Sequence, residues 1–155
     1  MPAPYRLILC PTDLSAAGDD AVDVAFALAQ PGATVHLLHV CEPGYLASPF
    51  DLTPIVATPP TPEALASLER KVTAHLKRLM PEESLARNVR HQAHVVHDVN
   101  PAGVINRLAQ ELKAEVIVMG THGRTGLGRL VMGSVATDLL KTSKLPVILA
   151  RNGRR

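Results

Sequence analysis

Apolar positions fall into two rhythms along this chain. Leu7-Ile8-Leu9-Cys10 is a short unbroken apolar run stopped by Pro11, which predicts a buried strand. From Ser15 to Gln30 the rhythm changes to helical spacing, with Ala21, Val24, Ala25, Leu28 and Ala29 on one face. Asp13 or Ser15 can cap this helix, and Pro31-Gly32 is expected to end it. Val35 to Cys41 predicts a second strand. Six prolines between Glu42 and Pro62 then exclude any regular element, leaving a long proline-rich loop. Leu65, Leu68, Val72, Leu76 and Leu79 predict an amphipathic helix over 64–80. Residues 89–96 alternate loosely and are polar enough for an edge strand. Pro101 suits a helix first turn, with Val104, Ile105, Leu108 and Leu112 as its buried face. Val116 to Met119 is fully apolar and predicts a central strand. A glycine-rich loop follows over 120–128, then a helix from about Gly133 to Ser143 and a last strand over Leu145 to Ala150.

Strand and helix alternate throughout, which predicts an α/β fold: one parallel sheet of five strands with helices on both faces. Right-handed crossovers leave few topologies. The two most apolar short runs, the first and fourth strands, belong in the centre. If they are neighbours, the strand order reverses between them, and ligands bind at the strand C-terminal ends of such a reversal. The segments there are Pro11-Thr12-Asp13 and Met119-Gly120 onward, where the glycines concentrate. No internal repeat or second domain is visible, so 1–155 reads as one domain.

Composition narrows the function classes. Apolar residues at 46% and charged residues at 19% fit a globular chain. Aromatics at 3% make the core aliphatic and weigh against base-stacking nucleic-acid binders. A net charge of +2 is too mild for a nucleic-acid groove. Cys10 and Cys41 are too few for a disulfide framework and read as buried free thiols. No apolar run is long enough to span a membrane, and Met1 to Arg6 does not open a signal peptide, so a cytoplasmic location is expected. His91, His94 and His97 suggest a metal cluster by spacing, but on a strand His94 faces away from the other two. His36 and His39 likewise take opposite faces, and no metal site is expected.

Residues 120–134 read Gly-Thr-His-Gly-Arg-Thr-Gly-Leu-Gly-Arg-Leu-Val-Met-Gly-Ser. Glycines let backbone amides approach an anion, and successive amides form a nest. A helix starting near Gly133-Ser134 adds partial positive charge, Ser134 a hydroxyl, and Arg124 and Arg129 full charges. A polyphosphate fits; so does a purely structural turn. Arg129-Leu130 stands where a Walker loop requires Lys and Ser/Thr, and the dinucleotide fingerprint belongs after the first strand instead.

Gly120-x-x-Gly123, nine further residues, then Gly133-Ser134 resembles the signature of the nucleotide-binding universal stress proteins. Pro11-Thr12-Asp13-Leu14-Ser15 resembles the N-terminal motif of that family, and Leu37-Leu38-His39-Val40 and Pro146-Val147-Ile148-Leu149 extend the likeness over nearly the whole chain. Leu14 stands where phenylalanine is usual and Cys10 where a small aliphatic residue is common; the 42–62 loop is outside the family pattern. The resemblance implies a Rossmann-like sheet of order 3-2-1-4-5 that binds ATP, or ADP or AMP, with a divalent cation such as Mg²⁺ at the phosphates. It implies that Pro11, Thr12, Asp13 and Val40 line the adenine and ribose, that Met119 and Gly120 flank the ribose, and that Gly123, Gly133, Ser134 and Val135 meet the phosphates.

Bland roles compete at single residues: Asp13 and Ser134 as ordinary helix caps, His122 as a loop residue without proton-transfer duty. No convincing Walker-type acid or lysine accompanies the loop, so the leading expectation is a nucleotide-binding stress-response module whose occupancy alters a partner surface. The alternatives are a slow ATP hydrolase and a nucleotide-free interaction protein. An apolar last strand at a sheet edge predicts a homodimer pairing Val147 to Ala150 across a two-fold axis.

Overall fold

The computed structural model describes residues 5–42, 61–121 and 132–151. Its elements in chain order are β1 (Tyr5–Pro11), α1 (Ala16–Leu28), β2 (Ala29–Cys41), α2 (Pro62–Arg78), α3 (Glu83–Ala86), β3 (Arg90–His97), α4 (Pro101–Glu111), β4 (Val116–Gly120), α5 (Ser134–Thr142) and β5 (Val147–Ala150). All strand pairs are parallel, in the order β3-β2-β1-β4-β5. The expected central pair, β1 and β4, is thus adjacent, and the polar β3 lies at an edge.

Alternation along the strands builds two cores. Ile8, Cys10, Val35, Leu37, Val116 and Val118 face one way, against Val22 and Phe26 of α1 and Val72 and Leu76 of α2. Leu9, Leu38, Ile117 and Met119 face the other way, against Val104 and Ile105 of α4 and Ala136 and Leu139 of α5. Ile8, Leu9 and Ile117 are wholly buried, each contributing about 1.5–3 kcal/mol. Apart from Phe26, these two layers are built mainly of aliphatic side chains, and they cover both faces of the sheet beneath its loops.

Side-chain caps start three helices. Ser15 Oγ accepts from Gly18 N at 3.1 Å, Thr61 Oγ1 from Ala64 N at 3.2 Å and Asn100 Oδ1 from Gly103 N at 3.0 Å. Of the two residues expected to cap α1, Ser15 takes the role.

The end of α1 differs from expectation. The helix stops at Leu28, and Ala29 already pairs with Tyr5 of β1. The register then shifts, and pairing resumes at Leu7 with Thr34. Pro31-Gly32 therefore sits in an irregularity of β2 instead of terminating the helix, and Gly32 supplies a positive φ of 79° there. The C-terminal carbonyls of α1 are met by the Arg87 guanidinium, which donates from Nη1 to Phe26 O at 3.1 Å and from Nη2 to Ala29 O.

Candidate functional site

The C-terminal edge of β1 and β4 is where the strand order reverses. Chain leaving β1 turns sharply there. Thr12 is buried, its N–H donates to Leu38 O at 2.8 Å, and its Oγ1 accepts from Leu14 N at 3.0 Å. Leu14 takes a φ of 65°. The Thr12 carbonyl can only accept, so His39 Nδ1, 2.9 Å away, carries the proton of that bond. His39 is buried on β2 and fixes the turn from behind. Sequence reasoning places His39 on a strand face and within the Leu37–Val40 segment but misses its bond to Thr12, which arises only when β2 lies beside β1.

Asp13 Oδ1 accepts from both Ser15 N, at 3.0 Å, and Ser15 Oγ. The residue expected to meet a sugar or base therefore also secures the start of α1. Gly18 is what permits this close seat: a Cβ there would lie 2.4 Å from Thr12 Oγ1 and 2.8 Å from Asp13 Oδ1.

The end of β4 meets the same turn from the other side. A Cβ on Gly120 would lie 2.8 Å from Ala17 O, a backbone atom that has nowhere to go. Gly120 thus lets the first turn of α1 rest on β4, a packing duty beside the ribose contact expected of it. Met119 is buried and Val40 half-buried, both in the α4–α5 core layer.

Gly133 N–H donates to Thr121 O at 3.0 Å, which ties the start of α5 to the end of β4. Gly133 itself is the N-cap, with φ −58° and ψ 153°, and no side chain caps the helix. Ser134 is therefore the exposed first helical residue, not the cap, and Val135 packs partly into the core behind it. Helices leave their first amides without intrahelical acceptors. At α1, α2 and α4 a side-chain oxygen takes one of them; at α5, as at the short α3, none among the described residues does. Pro11, Thr12, Asp13, Val40, Met119, Gly120, Gly133, Ser134 and Val135 all occupy this one edge of the sheet. Gly123, His122, Arg124, Arg129 and residues 43–60 of the proline-rich loop lie outside the described residues.

Electrostatics around the edge are those of a partly desolvated helix start. Burial pushes the Cys10 thiol far up, reinforced by the nearby Asp19 carboxylate. Burial also raises Asp19, against an opposing pull from His75, whose Nε2 lies 3.5 Å from Asp19 Oδ2. Cys10 is a protonated thiol of the core, without nucleophilic character.

This arrangement defines the class: a doubly wound α/β protein whose strand order reverses between β1 and β4. The sequence model of the universal stress protein family matches residues 4–151, and the chain belongs to that family. Universal stress protein MJ0531 of Methanocaldococcus jannaschii is 30% identical over 152 residues, covering 97% of this chain and 85% of that protein. Universal stress protein MJ0577 of the same organism is 29% identical, with 95% of each chain covered. Among solved structures, MJ0577 superposes with a TM-score of 0.75 at 24% identity, covering 97% of this chain and 99% of that one. A universal stress protein solved in complex with cAMP superposes with a TM-score of 0.61 at 18% identity, covering 95% of this chain and 97% of that one. The Archaeoglobus fulgidus protein in complex with dAMP gives the same TM-score at 19% identity, covering 94% and 97%. No described helix is long and apolar enough to cross a membrane.

Proposed function

We propose that this chain is an adenine-nucleotide-binding stress-response module, with ATP, or ADP or AMP, held across the β1–β4 edge. The observation that carries this reading is the start of α5. Its first amides, with no side-chain cap, are tied through Gly133 to the end of β4, beside the Thr12-Asp13 turn. Amides so placed suit a phosphate. The donor set fits the ligand: Pro11, Thr12, Asp13 and Val40 offer a small hydrophobic and polar seat for the nucleoside, Met119 and Gly120 flank the ribose, and Gly133, Ser134 and Val135 meet the phosphates together with Gly123. A divalent cation such as Mg²⁺ would supply charge neutralisation there. Structures of relatives with bound cAMP and dAMP support an adenosine-shaped ligand.

Gly133→Ala tests the site directly. At φ −58° an alanine is accommodated without backbone strain, so the fold should persist while a methyl group intrudes on the phosphate position. Equilibrium dialysis with ATP should show binding by the native chain and at least a roughly tenfold loss in the variant, about 1.4 kcal/mol. Absence of ATP, ADP and AMP binding by the native chain would discard the assignment.

In this reading occupancy changes a partner surface through the 121–132 segment, which requires different nucleotide affinity for two states of the chain. Hydrogen exchange of that segment should slow when ATP is added. Identical exchange with and without ATP would leave binding without a switch.

A further inference from the structure

We propose that His36 and His94 form a binding site for one nitrogen-seeking divalent cation of the Zn²⁺ class, on the sheet face that carries α4 and away from the nucleotide edge. The two rings come from neighbouring strands. Register pairs His36 with Gln92 and Leu38 with His94, which makes the histidines diagonal neighbours on one face. His36 Nδ1 and His94 Nε2 lie 3.0 Å apart, with ring centroids at 5.2 Å and planes tilted by 38°. Only one of these nitrogens can hold the hydrogen of an N–H···N bond; the other turns its lone pair toward it. That hydrogen can move, by exchange with water, to the other nitrogen of its own ring. Both lone pairs are then free with no net change in protons, and a tilt of the rings away from the N···N line aims them at one off-axis point. Tetrahedral Zn²⁺ with bonds of ~2.0–2.1 Å holds two imidazole nitrogens ~3.3 Å apart, a few tenths of an ångström from the separation here.

Access and donors are also present. His36 is 5% exposed yet lines a groove of about 580 Å³, together with Thr34, Arg90 and Gln92, and His94 stands half-buried beside that groove's lining. Gln92, opposite His36 in register on the same face, can bring an amide oxygen; water completes the shell. Arg90 disfavours a cation attracted by charge alone, so the selecting chemistry is imidazole coordination, which suits Zn²⁺, Cu²⁺ and Ni²⁺ over Mg²⁺ or Ca²⁺. Among the described residues no group of three or more His, Cys, Asp or Glu side chains gathers for a metal, so this is a two-imidazole site of modest affinity. Comparing histidines within one strand misses it, because its ligands lie on two.

The test is a titration of the full chain with ZnCl₂, read by long-range ¹H–¹⁵N imidazole NMR, which identifies the ligating nitrogen of each ring. The expected result is that His36 Nδ1 and His94 Nε2 shift together and saturate at one equivalent. His94→Gln should weaken binding about 10-fold or more. Gln92→Glu, at an exposed position that should leave folding intact, adds a carboxylate beside the pair and should tighten it. No binding, shifts confined to other histidines, or affinity unchanged in both variants would overturn the proposal.

Discussion

Asp19 carries the clearest electrostatic cost near the start of α1. Its Oδ1 is buried with no hydrogen-bond partner among the described residues, and burial outweighs the favourable His75 contact in setting its acidity. The sign follows from linkage. A carboxyl whose folded pKa is raised binds its proton more tightly in the folded chain, so stability falls as pH rises through its titration range, and the penalty is complete above the folded value. Asp19→Asn should therefore stabilise the chain at pH 7, with the advantage shrinking as pH falls toward 4. Urea unfolding of both proteins at the two pH values measures this. A less stable variant at pH 7 would show that the His75 pair and the helix-start position of Asp19 outweigh its desolvation.

Among elements, α1 is the one whose two ends are held by unlike means. Its start is local: Asp13, Ser15 and Gly18 lie within six residues, and that cap was legible in the sequence. Its end depends on Arg87, more than fifty residues away, whose guanidinium reaches the Phe26 and Ala29 carbonyls. Arg87→Ala leaves those partly buried acceptors without their charged donor, at a cost of about 1–3 kcal/mol. Urea unfolding should show the loss, and Arg87→Lys should recover part of it. An unchanged midpoint in Arg87→Ala would mean that water satisfies the carbonyls equally well. The same contrast explains which features the sequence revealed. Unbroken apolar runs and 3.6-residue spacing exposed β1, β4, α2 and α4, because both signals act over one element. Pro31-Gly32 misled as a helix stop because a bulge inside a strand uses the same turn chemistry. The short α3 has too few residues for a period. Contacts such as His39 with Thr12, or His36 with His94, arise only when strands pair.

At the scale of the whole molecule, the two sheet edges are unequal. β3 carries Arg90, Gln92 and His97 exposed along its length, the kind of polar edge that discourages further pairing. β5 reads Val-Ile-Leu-Ala, uncharged, with Val147 to Leu149 half-buried and Ala150 buried, and with β4 as its described neighbour. Its backbone polarity can be assigned by alternation. Ile117 N donates to Pro146 O and Thr121 N to Ala150 O, so residues 146, 148 and 150 turn toward β4, while Val147 and Leu149 turn their N–H and C=O outward. A second copy related by a two-fold axis would satisfy these groups in both chains at once. Val147→Pro removes one outward donor at the first residue of the strand, where proline is tolerated, and spares the ladder to β4. The symmetry doubles the loss, since each dimer would lack two such bonds. Sedimentation equilibrium at micromolar concentration should find the native chain dimeric and the variant shifted toward monomer, with the far-ultraviolet circular dichroism unchanged. A native monomer, or a variant as dimeric as the native chain, would remove β5 as the association edge.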